Sequence, residues 1–488
     1  MRTKFVFGAL LSAAALVGTP GVAQAPQSIS ANDKAIGAKA HPQLMAQFGG
    51  AYSGPQADYV RRVGQRISVQ SGLSNAQSDF TVTLLNSPAN NAFAIPGGYV
   101  YVTRQLLALM NDEAELASVL GHETGHVAAR HSQKRQNAAT RNSVLGALGQ
   151  VLAGAVLGGD SAIGQVLGRG IGSGFQLLTL QFSRSQEYEA DDLGVTYLAR
   201  AGYDPRASST MLASLAAQSA LDARTRNQDG RSAPAWASTH PDPASRVTRA
   251  AQKATATRKT GGTRNRDGFL DAIDGVLYED DPKQGVIDGQ TFRHPELRLQ
   301  FTVPDGFAMA NGTQAVSITG SAGQATFTGV TFDGDLERYI ASAFNALTGG
   351  KGGINYGTPQ RRTINGLSAA IAQGRANTQS GALDVTVIAY AFNANTAYHF
   401  VLLTRAGSAI GPFDGMAQSM RRMTAAEATA VKPRRIDVVT VRSGDTVASL
   451  AGRMAYTTLQ TERFLTLNAL SAGTALRPGQ RVKLVVYG

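Results

Sequence analysis

LASVLGHETGHVAARH, residues 116–131, is the stretch on which the reading of this chain turns. It contains His122-Glu123-Thr124-Gly125-His126, an HExxH pentapeptide in a run of helical character. Residues four apart on a helix share a face, with Cβ atoms about 5–6 Å apart. His122 and His126 can therefore bind one zinc ion. Glu123, about 100° round the helix axis, reaches a water on that ion. Asp112, Glu113 and Glu115 enrich the first turn, where a helix favours negative charge, and Leu116, Val119 and Leu120 recur at helical spacing. The bare pentapeptide also occurs in proteins without this chemistry, so the surrounding chain must supply the rest of a site.

Downstream, residues 181–200 (QFSRSQEYEADDLGVTYLAR) read as a second helix. Glu187 and Asp191 are four apart on one face, so one can bind metal while the other orients a ligand imidazole. Acidic pairs on helices ordinarily face solvent, but a site with two histidines still lacks a third protein ligand. Between the two helices, residues 143–159 and 163–180 are apolar and dense in glycine; close helix packing is expected there, with a lid or membrane-facing loop as the alternative. Upstream, residues 56–69 read as an amphipathic helix, 80–85 as a strand, and 99–102 as a second strand after Asn90–Gly98. Asn91, Ala92, Phe93 and Ala94 thus lie beside the zinc helix, where an exposed edge can take a peptide substrate as an added strand. An ordinary core hairpin fits the same pattern. His240, in Ser238-Thr239-His240-Pro241, follows a loop holding Trp236, the chain's single tryptophan.

Length predicts two to four domains. Residues 1–25 read as a secretory signal, with Arg2 and Lys4 before an apolar core and small residues at its end. Residues 26–40 read as polar and loose. The zinc peptidase-like region spans 26–250, a basic linker 251–268, an α+β antiparallel-sheet domain of unassigned role 269–423, a second linker 424–435, and a small domain 436–488. In the middle domain, helices are expected at 336–347 and 413–423, and His294 and His399 as satisfied structural histidines. The chain has no cysteine, which excludes disulfides and thiolate ligands. Its net charge of +12 clusters at 130–141, 246–266 and 432–435. For an exported chain this predicts anionic cell-wall polymers or lipid headgroups as partners and no nucleic acid, solvated helix faces being the plainer alternative.

Several linked segments resemble the gluzincin metallopeptidases of the group that holds the HtpX, BepA and CAAX prenyl endopeptidase families. They are Asn91–Gly98, Gly121–His126 with Arg130-His131-Ser132, Ser183-Arg184 with Glu187–Asp191, and Thr239-His240-Pro241 with Ser245-Arg246. The resemblance covers about 36–250 and points to the soluble periplasmic BepA-like branch. It implies a mainly α-helical zincin domain with a small sheet and one zinc per chain, held by His122, His126 and Glu187. It makes Glu123 the catalytic base, hydrogen-bonds Asp191 to a zinc histidine, and offers His240 as a regulatory fourth ligand on a plug loop. The last domain resembles LysM, a βααβ glycan-binding module, through Val441–Val447, Ser449-Leu450-Ala451, Leu467–Leu470 and Leu476–Gln480. The combined expectation is an exported metalloendopeptidase in the periplasm of a Gram-negative-type bacterium. It would act on misfolded or stalled envelope proteins, be tethered to peptidoglycan, and work beside the outer-membrane assembly machinery. A non-proteolytic chaperone or assembly factor, or a peptidoglycan-binding adaptor keeping the zincin fold, stands against it.

Overall fold

The computed structural model describes residues 28–73, 76–135, 182–225, 240, 243–259, 261–347, 354–378 and 381–488. The expected signal at 1–25, the glycine-rich stretches at 143–159 and 163–180, and Trp236 lie outside the described residues.

The first part of the chain is helical around a small sheet. Helix α1 (Ala31–Gln47) opens on Ser30, whose hydroxyl accepts from the Asp33 amide, and α2 (Pro55–Ser68) follows. Strands β1 (Thr81–Leu85), β2 (Ala92–Ile95) and β3 (Tyr99–Thr103) form a sheet in the order β1-β3-β2. β1 runs parallel to β3, and β2 returns antiparallel at the edge, Ala94 facing Val100. The β2–β3 turn needs its glycines. Gly97 and Gly98 sit at φ 92° and 84°, where a side chain is strained, and a Cβ on Gly98 would meet the Asp79 carbonyl oxygen at 2.3 Å.

After α3 (Arg104–Leu109) comes α4 (Glu113–Ala128), then α5 (Arg184–Ala201), α6 (Ala207–Thr225), α7 (Pro243–Ala256) and α8 (Arg266–Ile273). α4 is buried along its length from Glu113 to His126, as a helix in the middle of a core is. Its acidic first turn does more than answer the helix dipole. Asp112 caps α4 through Glu115 N and pairs with Arg264 at 2.7 Å. The Tyr59 and Tyr203 hydroxyls each donate to Glu113 at 2.5 Å, and Thr210 donates to Glu115 at 2.6 Å. Satisfied buried acids therefore pin the start of α4 to α2, to α6 and to the turn after α5.

The middle of the chain is an antiparallel sheet protein. Its large eight-stranded sheet is built around β5 (Gly323–Thr331), β6 (Leu367–Thr378), β7 (Gly381–Asn393) and β8 (Thr396–Arg405), paired in the order β6-β7-β8-β5. One face packs Phe292, Phe301, Phe327, Phe400 and Phe413 together. The other is covered by α9 (Leu336–Leu347) through Leu336, Ile340, Phe344 and Leu347. A four-stranded sheet adjoins it.

The chain ends in β9 (Arg434–Thr440), α10 (Val447–Ala451), α11 (Gln460–Leu467) and β10 (Arg481–Tyr487), with β9 and β10 antiparallel. This unit is not set apart. A short strand, β4 (Leu277–Tyr278), extends its sheet by pairing with β9. Ile436, Leu450, Phe464, Val482 and Leu484 share one apolar core with Val63, Leu106, Leu120 and Phe269.

The structure departs from several expectations. Residues 26–40, read as loose, contain most of α1, which polar composition concealed. It is held by packing, since a Cβ on Gly37 would lie 2.0 Å from the Pro96 carbonyl oxygen. Residues 251–268, read as a linker, contain the end of α7 and the start of α8; buried Ala254 anchors the first of these. The helix expected at 413–423 is helical only over Asp414–Ser419 and then passes into the strand Arg421–Arg422. His399 meets its expectation, buried with Nδ1 3.0 Å from the Tyr339 hydroxyl.

Candidate metal centre

Two helices make the centre by approaching closely. Three glycines line their contact. A Cβ on Gly194 of α5 would lie 3.1 Å from the His122 amide nitrogen, one on Gly125 would lie 3.1 Å from the Ala190 carbonyl oxygen, and Gly121 faces Gly194 at 3.5 Å. α5 itself starts at a capping box, Ser183 with Gln186, which fixes where Glu187 emerges in the first turn.

The side chains of His122, His126, Glu187 and His240 converge there, all buried, with one ligand atom from each lying within 4.8 Å of the others. The two Nε2 atoms of His122 and His126 are 3.0 Å apart, and each stands 3.6 Å from a Glu187 oxygen. Ligand atoms around a tetrahedral ion at 2.0–2.1 Å are about 3.3–3.4 Å apart, so these spacings fit a metal ion. Glu123 supports the same fit. It is fully buried, and neither carboxylate oxygen has a hydrogen-bond partner among the described residues, a costly arrangement unless something polar is to be received there.

Around this cluster stands a second layer of charge. Asp191 lies 2.9 Å from His122 Nδ1 and accepts two hydrogen bonds from Arg246, at 2.7 and 2.8 Å. Arg246 also reaches Glu187 at 2.9 Å. This arginine comes from α7 and is 2% exposed. The basic cluster at 246–266 is therefore partly structural rather than a surface patch: Arg246 belongs to the centre, and Arg264 pairs with Asp112 and Asp204. No role for Arg246 follows from sequence alone. The signal that could have found it is its place in the Ser245-Arg246 segment, beside a helix pair with surplus acid.

Electrostatics follow from the burial. Burial raises the Glu123 carboxyl above its ordinary range, against the pull of His240 and His122. Burial pushes Glu187 up too, but His240, His122 and Arg246 together hold it below the usual carboxylate range. Asp191 is likewise pushed up by burial and taken far down by its bonds to Arg246 and His122. Burial and the neighbouring His122 and His240 rings hold His126 well below the ordinary imidazole value.

His240 is 1% exposed and sits across the centre. Its Nδ1 is 3.1 Å from both Glu187 oxygens, while Nε2 is 3.6 Å from Glu123 and 3.3 Å from the Ala92 carbonyl oxygen. Ala92 lies on the edge strand β2, together with Phe93 and Ala94, and Asn91 precedes them with its amide on Thr103 Oγ1. Phe93 turns inward onto Tyr101 at 4.7 Å between ring centres. The strand is thus presented by its backbone, beside the metal cluster, with His240 against it.

Comparisons with known proteins agree with this geometry. The sequence profile described as Peptidase family M48 matches residues 55–254. The mitochondrial metalloendopeptidase OMA1 of Schizosaccharomyces pombe is 32% identical over 258 residues, which cover 50% of this chain and 70% of that protein. The beta-barrel assembly-enhancing protease of Escherichia coli O157:H7 is 31% identical over 215 residues, 43% of this chain and 42% of that protein. Its Yersinia pestis counterpart is 32% identical over 202 residues, 40% of this chain and 38% of that protein. The chain thus spans about two fifths of the length of these bacterial relatives.

Proposed function

The chain belongs to peptidase family M48, and on that footing we propose that it is an exported, zinc-dependent metalloendopeptidase of the cell envelope that removes misfolded or stalled proteins. The observation that carries this is the convergence of His122, His126 and Glu187 at 3.0–3.6 Å beside the Glu123 carboxylate, which has no hydrogen-bond partner among the described residues. Two nitrogens and a carboxylate suit zinc. Bound there, zinc would supply an acidified water and polarise a carbonyl.

The chain's own residues do the rest. His122 and His126 would hold the ion from one face of α4, and Glu187 would close the set from α5. Asp191 orients the His122 ring through Nδ1, with Arg246 holding Asp191. Glu123 accepts the proton of the attacking water and returns it to the departing amine. Burial holds its carboxyl above the ordinary carboxylate range. The edge strand β2 receives the substrate as an added strand, Ala92 offering a carbonyl acceptor.

His240 occupies that acceptor and a Glu187 contact together, which supports reading the histidine as a regulatory plug on the metal cluster. His240→Ala should raise basal cleavage of an unfolded substrate and alter zinc affinity; unchanged values for both would remove the plug.

Support for the envelope comes from the apolar leader read at residues 1–25 and from the bacterial relatives, which are beta-barrel assembly-enhancing proteases. Among the described residues, no helix is long and apolar enough to cross a membrane. The strand–helix–helix–strand order of 434–487 supports a LysM-like module that binds peptidoglycan, its exposed turn at Arg442-Ser443-Gly444 being available to a glycan.

The decisive experiment is cleavage of an unfolded casein-like substrate by wild type and Glu123→Gln. Loss of a positioned base should lower kcat by about 10²–10⁴-fold while bound zinc stays stoichiometric. Equal rates would favour a chaperone that keeps the fold and the metal.

A further inference from the structure

The metal cluster has one outer arm through Asp191 and Arg246. We propose that His131 and Glu189 form a second, with His131 as the positioning residue that fixes the ring of His126. The inference rests on the metal-site reading above.

The chain makes this arm by a strained turn. α4 ends at Ala128, and Arg130 then adopts φ 55°, a left-handed conformation that costs a non-glycine residue energy. The turn brings His131 back against the end of α4, where it is fully buried. Its Nδ1 lies 2.9 Å from Nδ1 of His126, the ring nitrogen opposite the one that faces His122 and Glu187. Phe182 stacks on His126 with ring centres 4.0 Å apart, so the ring is held from its face as well as from its edge.

The proton positions follow by elimination. An imidazole that binds metal through Nε2 carries its hydrogen on Nδ1 and normally donates it to a fixed acceptor. The atom within reach is His131 Nδ1, which must then be bare, and this places the His131 hydrogen on Nε2. That nitrogen is 3.1 Å from Glu189 Oε2, and Lys134 stands 3.6 Å from the same oxygen. The Gln186 amide, 3.4 Å from the His131 carbonyl oxygen, ties the turn to the start of α5. A chain His126–His131–Glu189 thus sets the tautomer and angle of one ligand, as Asp191–Arg246 does for the other. Glu189, one turn position away from the Glu187/Asp191 face, is thereby given a partner.

The test uses full-length protein stripped of metal. Zinc affinity is measured by competition with a chromophoric chelator, and the visible spectrum of the cobalt-loaded protein reports ligand geometry. The variants are His131→Phe, His131→Asn and Glu189→Ala, with His126→Ala as the control for the site itself. Asparagine places its amide oxygen near the position of Nδ1 and keeps an acceptor for His126. His131→Phe should weaken zinc 10–100-fold and shift the cobalt bands. His131→Asn should restore most of the affinity, and Glu189→Ala should cause a smaller loss in the same direction. Wild-type affinity in His131→Phe, or equal weakness in the Phe and Asn variants, would overturn the proposal while leaving the metal site standing. Zinc binding unchanged by His126→Ala would remove the site and the arm together.

Discussion

Single buried groups set the limits within which this chain works. His399 shows the effect apart from the metal cluster. Burial holds its imidazole down to about 4, from 6.5, because a charge there would be desolvated, with the Tyr339 hydroxyl as its hydrogen-bond partner among the described residues. The folded pKa lies below the unfolded one, so the unfolded state binds more protons between those values. Stability is therefore fully present above pH 6.5 and falls as the pH drops toward 4, by up to about 3 kcal/mol. Hydrogen-exchange protection in β7 and β8 should decline across that window in wild type and stay flatter in His399→Gln. At the same scale, the difference between Glu187 and Asp191 is one of reach. Both share a helix face, and spacing alone leaves open which of them meets metal. The structure puts Glu187 against both Nε2 atoms and Asp191 against the far side of His122.

Elements matter through how closely they can pack. The α4–α5 contact is the hinge of the centre, because Glu187 reaches the α4 histidines only if the two backbones nearly touch. Gly194 permits this, with its absent Cβ 3.1 Å from the His122 amide nitrogen. Gly194→Val should force the helices apart at a cost of about 1–3 kcal/mol. It should also weaken zinc binding without altering any ligand. Chelator competition together with thermal unfolding measures both, and a variant with lowered melting temperature but wild-type zinc affinity would show that the contact is not what positions Glu187. The glycines are visible in the sequence, but their purpose is not: a glycine within a helix reads as a weakness until the partner helix is in view. α1 is the converse case, polar in composition and helical because Gly37 and Leu44 pack on the hairpin.

At the scale of the molecule, the C-terminal unit is joined to the peptidase part rather than hung from it. Lys483 of β10 is fully buried, and its ammonium donates to the Ala108 and Met110 carbonyl oxygens at 2.8 and 2.5 Å. These are the acceptors left over at the end of α3, just ahead of α4. Burial holds its pKa well below the ordinary lysine value. Arg266 bridges the same region, bonding the Asn111 and Arg481 carbonyl oxygens. Removing 436–488 would expose Phe269, Leu106 and their neighbours and leave those carbonyls without a partner. The truncated chain should therefore lose thermal stability and casein cleavage together, even with every metal residue intact. Undiminished cleavage by the truncated chain would mark the unit as a separable tether.

Local spacing by itself determined the heart of this protein: one helix with His122, Glu123 and His126 placed by a fixed 3.6-residue period, a second with Glu187 and Asp191, and an α+β middle with alternating strands. Those features depend on neighbours a few residues away, and periodicity records them. The tertiary structure decided what depends on distant neighbours. It buried Arg246 between two carboxylates, turned His131 onto His126 through a strained Arg130, laid His240 across the cluster and β2, and merged the last fifty residues into the first core. Each of these contacts is set by packing between segments tens to hundreds of residues apart, where no sequence period carries the information.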